Sequence, residues 1–399
     1  MVIDFLQKKP YFTKQAALHF IVLLGLVSFF ADITSDGARS VIGPYLGILG
    51  ASATIVGFVA GFSELIGYGF RIFSGIIVEL TGNYWALALI GYGATLIAVP
   101  MFALAHHWEL AAILLMMERF GKAMRSPARD VMIAHASQKV GRGWGFGLHK
   151  ALDQAGATLG PLVVMIVLAL HGSYRHSFFI LIIPVALALI VLFMAHNFYP
   201  KPGKMESVSS SDEEEVESGK NVRALFWLYT CGAALVAAGY VDFPLMAYHF
   251  QKEAIFSPIW IPVLYSVALG ASGITALIFG RWYDHRGFYV LIVVTILSAC
   301  FAPLVFFGDL YQVLFGMFLW GLGLGVQVAL LRAVIANMTS TKKRGSAYGF
   351  FNGAFGVAWF LGSALMGMLY STSLLSLVLF SVVAQLAAIP LFIIVKNKL

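Results

Sequence analysis

Charge is what this sequence has least of. Only 11% of its 399 residues are Asp, Glu, Lys or Arg, against about 25% in a soluble domain. Hydrophobic residues make up 60%, and the mean hydropathy is +0.86. A chain with so little polar surface does not live in water, which excludes a two-domain soluble enzyme. Cysteine is nearly missing too. Cys231 and Cys300 sit inside apolar runs without CxxC spacing, so they read as small core residues and not as a disulfide or metal pair. HExxH, GxSxG, a Walker loop and any two-histidine or Cys/His ligand spacing are also lacking. No enzyme activity, metal or cofactor is expected from them.

What is there is a series of long apolar runs. A helix needs about 20 such residues to cross the hydrocarbon core. Runs of that kind predict helices over 15–46, 53–78, 84–105, 109–130, 144–171 and 177–198, then over 223–250, 259–283, 288–307, 311–337, 345–370 and 374–395. Lys8, Lys9 and Lys14 precede the first run as in a signal peptide, but no small-residue cleavage site follows, so a retained first span is expected. Residues 200–221 separate the two sets. They hold the acidic run Ser209 to Glu217, too polar to fold alone and read as a solvated linker. The expected domains are thus 1–199, this linker, and 222–399.

Orientation follows from the basic residues. With the N-terminus inside, the cytoplasmic segments hold the cluster from Arg119 to Arg142, then Lys201, Lys204, Lys220, Arg223, Arg281, Arg286, Lys342, Lys343, Arg344, Lys396 and Lys398; the opposite loops hold Arg175 and Lys252. This is the positive-inside pattern. It accounts for the net charge of +7 without a nucleic-acid partner, and it places both termini on the cytoplasmic side.

The two sets are related. Arg129 to Gly143 aligns without a gap on Leu331 to Gly345, an offset of 202 residues. Gly147 then matches Gly349, and Gly160 matches Gly362. A second pair of loops gives Gly75-Ile-Ile-Val-Glu79-Leu-Thr-Gly82 and Gly280-Arg-Trp-Tyr-Asp284-His-Arg-Gly287. Two homologous six-helix halves are the parallel-repeat plan known among transporters.

The loop pattern Gly-x-x-x-Asp-x-x-Gly resembles motif A of the major facilitator superfamily, well kept in Gly280 to Gly287 and degenerate in the first half, where Glu79 replaces Asp. Arg119-Phe-Gly-Lys-Ala resembles its motif B. Gly147, Gly156 and Gly160-Pro161 resemble motif C of antiporters, whose final Gly-Gly is replaced by Val164 and Met165. Arg119 to Asp130 with Phe146 to Gly156 is similar to one bacterial branch of exporters. The resemblance implies an all-α integral membrane protein of this fold: twelve transmembrane helices in two pseudo-symmetric six-helix bundles, a monomer moving a small-molecule substrate by alternating access.

Charges at mid-bilayer cost roughly 3 kcal/mol or more each, so their positions mark a pathway or a structural lock. Most fall in the first half: Asp32, Asp36 and Arg39 in the first helix, Glu64 and Arg71 in the second, Glu118 and Arg119 in the fourth, Lys150 and Asp153 in the fifth. The second half offers Asp242 and His249 in the seventh helix and Arg332 in the tenth, and reads mainly as apolar cavity wall. Asp32 and Asp36 share a helix face. Arg39 is close enough in sequence to neutralise Asp36, which leaves Asp32 as the leading proton site, Asp36 second, and Arg119 tuning either. The alternative is a static Asp–Arg brace. Arg39, Glu64, Arg71, Asp153, Tyr240 and Asp242 are the expected cavity residues. Gly156, Gly160 and Pro161 allow close approach and bending. By pseudo-symmetry Glu79 is expected to gate with Arg344, and Asp284 with Arg142, when the cytoplasmic side is closed. The function expected is proton-coupled export of a small organic compound. Nutrient or organic-acid uptake, metal-ion export through Asp32 and Asp36, and a membrane receptor remain open.

Overall fold

The computed structural model describes residues 13–170, 172–200, 220–338 and 344–398. In a bilayer each backbone N–H and C=O must be satisfied within the chain, and the apolar runs accordingly become helices. In chain order these are α1 (Lys14–Ile48), α2 (Ala53–Thr81), α3 (Tyr84–Met101), α4 (Trp108–Val140), α5 (Arg142–Ala169), α6 in two pieces (Tyr174–Ile180 and Ile182–Phe198), and α7 in two pieces, α7a (Lys220–Gly239) and α7b (Phe243–Lys252). They continue with α8 (Trp260–Arg286), α9 in two pieces (Phe288–Ala299 and Phe301–Phe307), α10 (Leu310–Met338), α11 (Arg344–Thr372) and α12 (Leu374–Lys398). Eleven of the twelve are long and apolar enough to cross a membrane; α4 is long enough but too charged. It also runs well past the expected end at 130. Its last turns carry charge yet still contain good helix formers, and the helix stops only at Gly141, whose φ of +103° suits glycine.

Side chains define several of the starts. The hydroxyl of Thr13 accepts from the amide of Ala16 at 3.1 Å, Ser52 from Ile55 at 3.3 Å, and Asn83 from Ala86 at 3.3 Å, each satisfying one of the amides left over at a helix N-terminus. The break in α7 is satisfied in the same way. The carbonyl of Gly239 accepts from Ser381 at 2.6 Å and Gln385 at 3.3 Å, and that of Val241 from the indole of Trp320 at 2.9 Å. The chain can therefore leave the helix at residues 240–242 without stranding its backbone.

Helices α1–α6 form one bundle and α7–α12 the other. In the first, α1 packs on α5 and α6, and α4 on α2 and α3; in the second, α8 packs on α10, and α12 on α7a and α9. The bundles meet along α2 with α11, α5 with α8, and α1 with α7b. These seams are tight at the end away from the termini. Gly43 lies against the backbone of Pro244, Gly47 against the ring of Tyr248, and Gly57 against Ser363 and Gly367. The Thr54 and Ser371 hydroxyls are 2.9 Å apart, and Tyr174 donates to Gln251 at 2.7 Å. Toward the termini the seams open. Gly75, Gly147, Gly280 and Gly353 face open space, and Gly349 has its nearest neighbour, Ile72, at 3.9 Å from where a Cβ would stand. The molecule is closed at the far end and open at the terminal end.

Exposed Ile97, Ile113, Phe193, Leu277, Leu361 and Val383 belong to the outer, lipid-facing surface. Cys231 and Cys300 join them: both are exposed, not the core residues expected. Each points outward from its helix, where a small apolar side chain meets lipid as readily as protein.

Candidate functional site

Two linked charge clusters lie between and beside the helices that meet at the bundle interface. The first is built from α1, α4 and α5. Glycines set its spacing. Gly156 and Gly160 of α5 bring that helix against the backbone of Phe29 and Ile33 in α1, and Gly91 of α3 and Gly121 of α4 do the same for each other. Within this frame Asp32 is 3% exposed. It accepts from Lys122 Nζ and Arg125 Nη2, both at 3.4 Å. Asp153 of α5 pairs with Lys150 at 2.6 Å and Arg129 at 3.7 Å. The Asp32 and Asp153 carboxyl groups are near enough to act on each other electrostatically. Arg129 also reaches Ser28 at 3.2 Å, and the Ser28 hydroxyl is shared with Tyr92 at 3.2 Å and His149 at 3.0 Å. Arg125 is wholly buried and its guanidinium lies 4.3 Å from the Tyr92 ring centre, a cation–π contact that offsets part of its desolvation.

The second cluster crosses the interface. Glu64 of α2 binds Arg39 of α1 directly and has Arg119 of α4 at 3.5 Å; Arg119 also faces Glu118 at 3.2 Å. Arg39 then lies 3.6 Å from Asp242 of the second bundle. Asp242 sits at the break in α7, immediately before α7b, and accepts from Trp359 Nε1 at 3.0 Å and Ser363 Oγ at 2.9 Å on α11. Nearby, the hydroxyl of Tyr265 on α8 donates to Asp36 at 3.3 Å.

Several expected contacts take another form. Arg39 makes its ion pairs with Glu64 and Asp242, whose charges lie in the direction the side chain extends, and Asp36 is only a weaker electrostatic neighbour. Arg119 pairs with Glu64 and Glu118, and of the two aspartates it is expected to tune it acts on Asp36. Asp32, expected to be the less compensated of the two, has Lys122 and Arg125 beside it, whereas Asp36 is bound by Tyr265. Tyr240 is not at the cavity. It is wholly buried inside the second bundle, stacked with Trp320 and donating to that residue's carbonyl. Arg71 is half-buried on α2, and Glu79 is exposed at that helix's end. The side chains of Arg142, Asp284, Arg332 and Arg344 lie outside the described residues. Pro161 is carried within a continuous α5, next to Gly160. His249 is buried, its Nδ1 3.0 Å from the Tyr370 hydroxyl.

Lys122, Arg125, Arg129, Tyr265 and Ser363 belong to the site although the sequence reading assigns them no role in it. A signal exists for the first three. Arg119, Lys122, Arg125 and Arg129 recur every three or four residues, so they form a cationic stripe down one side of α4.

Comparison with other proteins agrees with this architecture. The sequence profile of the Major Facilitator Superfamily matches residues 24–308 and 244–398. An uncharacterized protein of Mycobacterium tuberculosis is 34% identical over 383 residues, 96% of this chain and 94% of that one. An uncharacterized MFS-type transporter of Methanocaldococcus jannaschii is 25% identical over 361 residues, 88% of this chain and 89% of its own. Among solved structures, the nucleoside transporter NupG superposes with a TM-score of 0.72 at 14% identity, covering 95% of this chain and 98% of that one; this likeness is one of fold. The chain belongs to the Major Facilitator Superfamily of membrane transporters.

Proposed function

We propose that this transporter is a proton-coupled exporter of a small organic compound, working by alternating access in a bacterial inner membrane. The observation that carries the coupling is the pair Asp32 and Asp153, carboxyl groups on different helices, the first buried and the second largely so, that act on each other electrostatically. Two carboxylates so placed repel, and a single proton held between them relieves that repulsion. Four cations, Lys122, Arg125, Arg129 and Lys150, surround the pair. The site can therefore hold a negative charge when the proton has left, which a reversible proton carrier requires. Asp36, bound by Tyr265 across the interface, is the second carboxylate of the series.

The open end carries both termini, and the basic residues of that end make it cytoplasmic. The state described here is then the inward-open one. The two bundles, 1–199 and 222–399, move as bodies joined by the linker 200–221, and a single chain suffices. Fold likeness to a nucleoside transporter supports a small organic solute as cargo. Asp32 and Asp36, engaged by cations and a tyrosine, have less to offer a metal ion.

The test is flux in proteoliposomes under an imposed pH gradient, with the substrate first found by metabolite profiling of a deletion strain. An exporter's loss raises the intracellular level of its substrate; an importer's loss lowers it. Asp32→Asn and Asp153→Asn are each expected to abolish gradient-driven flux while leaving exchange of substrate measurable. If both keep wild-type gradient-driven flux, the pair is a static brace. Ligand binding with no flux at all in the wild type would make the protein a receptor.

A further inference from the structure

We infer that Asp242 is a further, separate proton-carrying residue, whose neutralisation unlatches Arg39 and lets the two bundles part at the far end. This rests on the proton-coupled reading above only for the source of the proton.

The argument starts from how the contacts are divided. Arg39 and Asp242 lie 3.6 Å apart across the interface. Every other described hydrogen-bond or ion-pair partner of either group belongs to its own bundle; Tyr265 of α8 acts on Arg39 only as a more distant electrostatic neighbour. Arg39 is held by Glu64 of α2, which Arg119 also faces. Asp242 is held by Trp359 and Ser363 of α11 at 3.0 and 2.9 Å. If the bundles separate here, Arg39 keeps its carboxylate and Asp242 keeps two donors. Neither group is stranded in the membrane, so the cross-bundle pair can break and re-form at small cost. A pair meant only to weld the bundles together would not need this duplication.

The arrangement also makes Asp242 the responsive member. The charged groups facing it are Arg39 from α1 and Glu64 from α2; α11 contributes the neutral donors Trp359 and Ser363, and α8 the hydroxyl of Tyr265, taken up by Asp36. Arg39 is shared, and its direct hydrogen bond goes to Glu64. Glu64 therefore repels the Asp242 charge and competes for its counter-ion. A proton on Asp242 removes the repulsion and the attraction to Arg39 at one stroke, while an uncharged carboxyl still accepts from the indole and the serine. The location multiplies the effect. Ser363, which binds the carboxylate, also packs against Gly57 and Gly61 of α2 in the closed seam, and Asp242 precedes α7b, which packs on α1 through Gly43 and Pro244. Two of the three inter-bundle seams begin at this side chain.

Spin labels can test it. In a background with Cys231 and Cys300 replaced by Ser, cysteines are placed at Ile48 and Tyr311, both exposed on opposite bundles at the far end. Their distance distribution is measured by pulsed electron resonance across pH in nanodiscs. In the wild type the longer distance is expected to gain population as pH falls. Asp242→Asn is expected to hold the longer distance at every pH, with the pH response lost. Trp359→Phe keeps the charge but removes one donor to the charged form, so the midpoint should shift upward by about one pH unit. Asp32→Asn should lose gradient-driven flux yet keep the far-end response. Wild-type distances and pH response in Asp242→Asn, or an unmoved midpoint in Trp359→Phe, would overturn the inference. So would a response lost in Asp32→Asn and kept in Asp242→Asn, which would leave proton coupling itself intact.

Discussion

Helices α4 and α10 occupy equivalent places in the two bundles, and the offset of 202 residues sets them side by side. Gly121 answers to Gly323, and both are close-approach points with a neighbouring helix. Between them everything chemical differs. Where α4 has Glu118, Arg119, Lys122 and Arg125, α10 has Trp320, Gly321, Leu324 and Gln327. Arg119 reaches across to Glu64, whereas Gly321 lets α8 come in until its Ala268 carbonyl touches the helix. Arg125 fills its space with a guanidinium stacked on Tyr92 and bonded to Asp32. Gln327 instead lines a small pocket with Thr295, Ser298 and Phe392, its amide atoms without a partner among the described residues. One scaffold carries ionisable groups and keeps its helices apart to house them; the other gives them up for contact between backbones. The difference teaches that the halves share a fold and divide its labour.

Experiments can break or sharpen that division. The largest effect belongs to the carboxyl pair, where Asp32→Asn or Asp153→Asn should eliminate gradient-driven flux; retained flux would remove the chemical distinction between the bundles. Next comes Arg125→Gln, which gives α4 the residue found in α10. It takes a buried charge partner from Asp32 and should cost about 3–5 kcal/mol, read as a lowered melting temperature in detergent. Gly321→Val should cost about 1–3 kcal/mol through overpacking against Ala268, while Gly353→Val, facing open space, should leave the melting temperature nearly unchanged; equal losses would contradict the tight and open seams. Smallest is Gln327→Leu. Removing an amide with no partner should raise stability by about 1 kcal/mol and leave transport untouched, and a clear loss of stability would show that the amide is satisfied in the membrane.

Much of this is legible in the sequence. Apolar length marks the helices, and the offset repeat marks two bundles, because the bilayer leaves a backbone few options. Many residues of the site stand out as well, since a charge in a membrane is conspicuous. Their partners do not. Asp36 and Arg39 look paired on a helical wheel, but Arg39 reaches across the interface and a wheel knows nothing of the next helix. Asp242 reads as a cavity residue among aromatics. Its meaning depends on Trp359 and Ser363, more than a hundred residues away, and on a break in α7 that composition alone does not announce. Tyr240, two residues before it, faces the other way for the same reason.

The vacant glycines at the open end have one more consequence. Gly349 and Gly353 repeat, on α11, the spacing by which Gly57 and Gly61 seal α2 at the closed end. In an engineer's vocabulary the empty space before them is clearance, the gap a moving part leaves so that it can travel. A bulky side chain installed there would be a doorstop: harmless while the door stands open, decisive when it tries to shut. Gly353→Trp is thus a means of arresting the cycle in one state, useful for capturing cargo or raising binders against the form open at the terminal end.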